Sequence, residues 1–173
     1  MAEITLQQAN INDLAAIMTI INGAKAQLRA AGSPQWQDGY PNANTIGSDI
    51  AAGVVHLLTV DGKVAGTVSL ITAAEPTYAT VEGGSWARPD APYATIHRIA
   101  ISTDFAGQHL GHVFMKQIVD YARTHNINNL RLDTHRLNQA MQRVATAAGF
   151  KLRGTIYITH GEDRARLAYE LNL

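Results

Sequence analysis

Apolar and polar positions along the chain repeat with two different periods, and the switches between them outline the elements. Ile4 and Leu6 lie on one side of a short alternating stretch at residues 3–7, which predicts a strand. Leu14, Ile17, Met18 and Ile21 then recur at helical spacing, with Asn10 or Asn12 as cap and Gly32 and Pro34 as stop. A second, short helix is predicted over 45–52, capped by Asn44 and ended by Gly53. Residues 54–60 and 63–72 are rich in β-branched side chains and meet at Asp61-Gly62, a two-residue hairpin signal. Residues 93–102 read as a strand, and 111–124 as a helix with Leu110, Phe114, Ile118 and Tyr121 on one face. Leu130, Leu132 and Thr134 alternate in a further strand. Residues 138–148 form a helix stopped by Gly149, and 151–160 with 164–171 make a last hairpin around Gly161.

The order that results, βα(α)ββ(β)βαβαββ, predicts an α/β (α+β) fold: a mixed, mostly antiparallel sheet flanked by helices. Two segments stand outside the periodic pattern. Residues 33–44, SPQWQDGYPNAN, are rich in turn formers yet hold Trp36 and Tyr40, so this loop has something to cover. Residues 75–92 hold Glu82, Trp86 and Pro89 and are too long for a plain connector; they are expected to add a short strand or cover a site.

Composition narrows the class. At 173 residues the chain makes one domain with a full core, and 46% hydrophobic against 16% charged residues is a globular balance. Lys plus Arg equals Asp plus Glu at 14 each, without long blocks of one sign, so the footprint of a nucleic-acid or anionic-membrane binder is absent. With no cysteine, disulfides, thiolate zinc sites and a cysteine nucleophile are excluded together. The N-terminus lacks the basic start of a signal peptide and no apolar run reaches membrane-spanning length; the reading is a soluble, cytoplasmic protein.

The chemistry concentrates at TDFAGQHLGH, residues 103–112, where a strand hands over to a helix. The first turn of a helix leaves backbone N–H groups without partners, and the peptide dipoles favour an anion there. Gly107 and Gly111 suit close backbone approach, although a pair so spaced is also common in ordinary turns. No Gly-Lys-Ser/Thr ending marks a nucleoside-triphosphate loop, and no G-x-G-x-x-G follows the first strand.

HRIAISTDFAGQHLGHVFMKQIVDYAR followed by LRLDTHRLNQAMQRVATAAGF resembles the acyl-CoA-binding half of the GNAT superfamily of N-acetyltransferases. The match is close over 93–150, and the element order agrees over the whole chain. The resemblance implies a single N-acetyltransferase domain spanning 1–173, with a splayed sheet. It implies acetyl-CoA as cosubstrate and direct acetyl transfer to a small-molecule or peptide amine acceptor, with a homodimer left open; the balanced charge, the lack of a spanning run and the histidine spacing add the expectation of no metal, nucleic-acid or membrane partner. By the same resemblance, Ile99, Ala100 and Ile101 lie in the strand that pairs with pantetheine. Ala106, Gly107, Gln108, His109, Leu110 and Gly111, with His112, form the loop that meets the pyrophosphate. Asn138 takes the pantetheine-contacting position, followed by Met141.

Three departures accompany it. Ala106 replaces the usual Arg or Gln. His109 replaces a glycine and fits without strain only if its φ is negative. Ala145 stands where many members carry a tyrosine that protonates the leaving thiolate. The alternative function is an acyl-CoA-binding module of the same fold that has lost catalysis.

Transfer to an amine needs that amine neutral, so a base is required. His97, in the strand that the resemblance places beside the acetyl group, is the first candidate, and His135, just beyond the next strand, the second. Each is equally readable as a hydrogen-bonded packing residue. Glu82 could act through water if 75–92 folds over the site. Trp36 and Tyr40 either line the acceptor pocket or pack their loop on the core. His109 and His112 lack the further ligands zinc would need.

Overall fold

A computed structural model describes all 173 residues. Seven strands, β1 (Ile4–Gln8), β2 (Val55–Val60), β3 (Lys63–Ile71), β4 (Ala94–Ile101), β5 (Asn129–Thr134), β6 (Lys151–Tyr157) and β7 (Ala165–Asn172), form one sheet in the order β1-β2-β3-β4-β5-β7-β6. Four helices flank it: α1 (Leu14–Ala30), α2 (Ala43–Ala51), α3 (Leu110–Thr124) and α4 (Gln139–Ala147). This is the single-domain, mixed and mostly antiparallel sheet that the periodicity predicts. No helix is long and apolar enough to cross a membrane.

The ends of elements follow local chemistry. A 3-10 turn at Ile11–Asp13 precedes α1, and Asn10 caps it in a reciprocal capping box with Asp13. The cap of α2 is Asn42, whose side chain accepts from the Thr45 amide, so the helix begins ahead of the predicted start at 45, and Asn44 lies inside it. The last hairpin is looser than expected: 158–164 form a connecting loop, and the strands stop short of it on both sides.

One pairing decides where a site can form. β4 and β5 are parallel and keep register only at Ala94↔Leu130 and Thr95↔Arg131. Beyond Thr95 the strands part, leaving the β5-facing edge of β4 without a strand partner. On its other edge β4 pairs with β3, where Thr67↔Ala100 and Ser69↔His97 bracket a bulge that sets Arg98 and Ile99 opposite Val68 alone. Arg98 takes a left-handed conformation there, with φ of 52°.

Three cores hold the layers. α3 lays Phe114, Met115 and Ile118 on one face of the sheet against Leu58, Val68, Ile96, Leu130 and Leu132. On the opposite face, α1 and α2 cover the first strands through Ile17, Ile21, Ile46, Ile50 and Leu57. The remainder of that second face, over β5, β6 and β7, is covered by the 75–92 segment through Tyr78 and Trp86 against Ile156 and Ala168. The segment is tied down by Arg131, whose guanidinium is sandwiched between Trp86 (4.2 Å) and Tyr93 (4.0 Å) and donates to the Arg88 carbonyl. Glu170 accepts from the Ala87 amide at 2.8 Å, and a Cβ at Gly84 would fall 1.8 Å from the Arg153 carbonyl, so only glycine permits this approach to β6.

Candidate active site

A cleft of about 1570 Å³ opens where β4 and β5 diverge. Its floor is β4 with its bulge. One end is closed by the loop into α3 and the start of α4, the other by the 33–42 loop, the beginning of the 75–92 segment and the β6–β7 loop.

At the first end, Ala106, Gly107, His109, Leu110, Gly111 and His112 all line the cleft, as do Ile99, Ala100 and Ile101; Gln108 is exposed outside it. The α3 start is open. Its cap residue, His109, makes no side-chain hydrogen bond to the first turn, whereas Asn10, Asn42 and Asn138 each cap theirs. The first amides of α3 therefore face the cleft with the positive end of the helix dipole. A Cβ at Gly107, where φ is 78°, would meet nothing within 4 Å, so the cradle is roomy. At Gly111 a Cβ would stand 3.0 Å from Val144 Cγ2, which shows how closely α3 and α4 approach. His109 has a φ of 55°, not the negative value that would relieve it: the backbone keeps the left-handed turn of a glycine, and the side chain bears the strain.

Asn138 and Met141 also line the cleft. Asn138 Oδ1 accepts from the Met141 amide at 3.2 Å, and its Nδ2 lies 3.5 Å from Gln35 Oε1. The same Gln35 oxygen receives the His135 amide at 3.3 Å, so Gln35 ties the 33–42 loop to the β5–α4 connection. Ala145 is fully buried under α4 and puts no proton donor into the cleft.

The other end is a set of side-chain pairs. Asp49 of α2 accepts from Arg98 Nε (2.7 Å) and Nη2 (3.1 Å) and from Ser69 Oγ (2.8 Å). Arg98 Nη1 donates to Tyr40 Oη at 2.6 Å, and burial raises the Tyr40 phenol above its ordinary range. Tyr40 thus stands on the wall of the cleft, held by the bulge residue of the floor; Trp36 lines the same wall and packs against the α1–α2 core. The cis peptide before Pro41 belongs to this loop.

His97 lines the cleft with 18% of its side chain exposed, and its Nε2 lies 3.2 Å from Glu75 Oε2. The hydrogen bond from His97, assisted by those from Thr77, holds the Glu75 carboxyl down at about 2 against a burial effect that opposes it. An ionised Glu75 only accepts, so Nε2 carries the proton and neutral His97 presents an unprotonated Nδ1. Beside it, Tyr78 donates to Asp133 Oδ2 at 2.7 Å; burial raises both groups, the tyrosine well above its ordinary range.

Two expectations are corrected by this geometry. Both nitrogens of buried His135 are engaged: Nδ1 accepts from the Leu137 amide at 3.1 Å, and Nε2 donates to Asp163 at 2.8 Å. No lone pair remains for a substrate proton, and His135 instead anchors the β6–β7 loop. Glu82 lies outside the cleft, exposed and bridged through its backbone to Thr155 of β6. The carboxylate that the 75–92 segment brings to the site is Glu75. Glu75, Tyr78, Arg98 and Asp133 carried no local sequence signal; the one pointer was the unexplained length of 75–92.

The acetyltransferase (GNAT) family model matches residues 24–150. The chain belongs to the GNAT family. A GNAT acetyltransferase from Streptococcus agalactiae 2603 is 33% identical over 98% of this chain and 95% of its own, with a TM-score of 0.90. A GNAT acetyltransferase from Listeria monocytogenes 4b F2365 shares the fold at a TM-score of 0.74 and 18% identity, covering 98% of this chain and 95% of that one. A Salmonella typhimurium protein solved with its cofactor acetyl-CoA does so at 0.67 and 18%, covering 98% and 94%. No curated protein matches the chain significantly. The mixed seven-stranded sheet flanked by four helices is thus the GNAT fold, and GNAT membership supports acetyl transfer as the general activity.

Proposed function

We propose that this GNAT protein is an acetyl-CoA-dependent N-acetyltransferase that passes the acetyl group directly to an amine, with His97 as general base. The observation that carries the reading is that an uncapped helix start and a histidine with a free nitrogen open into one cleft, at its two ends. The Salmonella typhimurium protein of the same fold holds acetyl-CoA, which supports that cosubstrate.

The residues present fit it. The amides at the α3 start offer donors to a pyrophosphate, with room at Gly107. The unpaired β4 edge at Ile99, Ala100 and Ile101 offers backbone groups to an amide-bearing arm, which would complete the pairing that β5 abandons. Acetyl-CoA supplies the acetyl group as an activated thioester. His97 Nδ1 takes the amine proton as the nitrogen bonds to the carbonyl carbon, the carbon–sulfur bond breaks, and the proton is then available to the departing thiolate. Glu75 fixes the imidazole and offsets the charge it gains. Trp36 and Tyr40 form the acceptor wall, held in place through Arg98 and Asp49.

The buried Ala145 favours a second reading, a GNAT module that binds acyl-CoA without turnover. Following thiol release from acetyl-CoA across a panel of amines, beside calorimetric binding of CoA, separates the two. Turnover that collapses in His97→Ala with CoA affinity kept supports the transferase; tight CoA binding without turnover supports the module.

A further inference from the structure

Side chains on the face of the sheet under the 75–92 segment follow the period of two along each strand. On β5, Arg131 and Asp133 point to this face while Leu130 and Leu132 join the α3 core. β7 pairs Ala168 with Asp133, and Ala168 packs under Tyr78, so Arg166, two residues earlier, shares that face. On β4, Thr95 pairs with Arg131, and His97 is two residues further on. His97, Asp133 and Arg166 therefore form a row across three neighbouring strands, at the end of the sheet where the cleft opens, and all three line it.

Arg166 is anomalous among the arginines. The other two that are deeply placed are matched: Arg98 by Asp49 and Arg131 by Glu170. Arg166 is only 6% exposed, yet none of the ion pairs includes it. Its hydrogen bonds run from Nη1 to the Asp163 and Ala165 carbonyls, at 2.7 and 2.9 Å, which leaves Nε and Nη2 free of protein partners. Asp133 and Asp163 lie near enough to attract this guanidinium, but neither carboxylate forms an ion pair with it, so its planar fork is open to a ligand carboxylate. Burial pulls this group below the usual arginine value, and the nearby Asp133, Asp163 and Asp38 carboxylates offset that only in part.

We propose that the acceptor is a compact amine that also bears a carboxylate, of the amino-acid class, with Arg166 as the anchor for that carboxylate. The inference rests on the acetyl-transfer reading for the fate of the amine. The charges around the cleft fit such a molecule: Glu75, paired with His97, favours the ammonium end, and Arg166 the anionic end. β5 and β7 keep register at Asp133↔Ala168, whereas β4 has already parted from β5 at His97, so the cleft lies between His97 and the other two. With all three lining that one cleft, Arg166 selects for an anion carried by the same molecule as the reacting nitrogen. An internal lysine of a protein brings none.

The test pairs free amino acids with their own carboxamides, in acetyl-CoA turnover and in equilibrium binding to the CoA-bound protein. Carboxylates should exceed carboxamides at least about tenfold in kcat/KM, as expected for one charged hydrogen-bonded pair. Arg166→Gln should erase that preference through KM with kcat nearly kept, while CoA affinity stays that of the native protein. Arg166→Lys, which keeps the charge but loses the fork, should recover part of it and guards against a folding artefact in the first variant. Equal use of carboxamides, or a preference that survives Arg166→Gln, overturns the anchor and leaves acetyl transfer standing. Selective carboxylate binding without turnover of any amine keeps the anchor and overturns the transferase reading instead.

Discussion

The two ends of the cleft are made in opposite ways. The α3 end comes from consecutive residues, 106–112, and presents backbone amides that no side chain caps. The acceptor end is assembled from distant parts: Tyr40 meets Arg98 across 58 positions, and Tyr78 meets Asp133 across 55. Backbone donors tolerate changes of side chain, so Ala106 and His109 can stand in the loop while its shape persists. Side-chain pairs tolerate far less, because removing one partner leaves the other buried and unmatched. The comparison teaches where each kind of substitution should register: cosubstrate binding at one end, chemistry and stability at the other.

The largest effect is expected at the assembled end. His97→Ala should lower kcat about 10²–10⁴-fold at neutral pH, the usual worth of a positioned base, with little change in CoA affinity; stopped or steady-state thiol release checks it. An unchanged kcat would remove His97 as base and leave the cradle unaffected. At the local end, Gly111→Leu drives a side chain against Val144 at the helix start and should weaken CoA binding at least about tenfold by calorimetry. Native affinity in that variant would mean that the α3 amides are not the binding groups.

Asp49→Ala separates stability from chemistry. It strips the partner from Arg98, which is 11% exposed, and should cost about 3–5 kcal/mol. For a chain of this size that lowers the melting temperature by roughly 6–20 °C. Acid titration tests the Glu75–His97 pair. A carboxyl held down at about 2, against an ordinary 4.5, adds stability that is fully present above 4.5 and is lost as pH falls through 2. Glu75→Gln should flatten the acid side of the melting-temperature profile over that window, and a profile identical to the native one would show that the pair does not hold in solution. The smallest effect belongs to His109→Gly: relief of the left-handed strain, less the entropy glycine adds to the unfolded chain, should stabilise by about 0.5–1 kcal/mol.

Legibility followed the same division. The hairpin at Asp61-Gly62 and the helix of Leu110, Phe114 and Ile118 were readable because their signals repeat within a few residues. The cap of α2 was misread by two residues, since Asn42 and Asn44 offer the same chemistry and only the chain path chooses between them. His135 was readable as a titratable group near the cleft, but its role depends on Leu137 and Asp163, and Asp163 is 28 positions away. Glu82 stood out in its segment by charge alone, whereas Glu75 is the carboxylate that reaches His97, across 22 positions.

The sequence by itself determined the element order, the strand-to-helix loop at 103–112, and the GNAT resemblance. These rest on interactions between near neighbours, where composition and spacing decide the outcome. Only the tertiary structure decided that β4 and β5 part after Thr95, that Glu75 and not Glu82 meets the histidine, and that Arg166 is buried without an ion pair. Those facts depend on which distant side chains come to share one face of the sheet. Nothing in the pattern along the chain encodes that until the strands have paired.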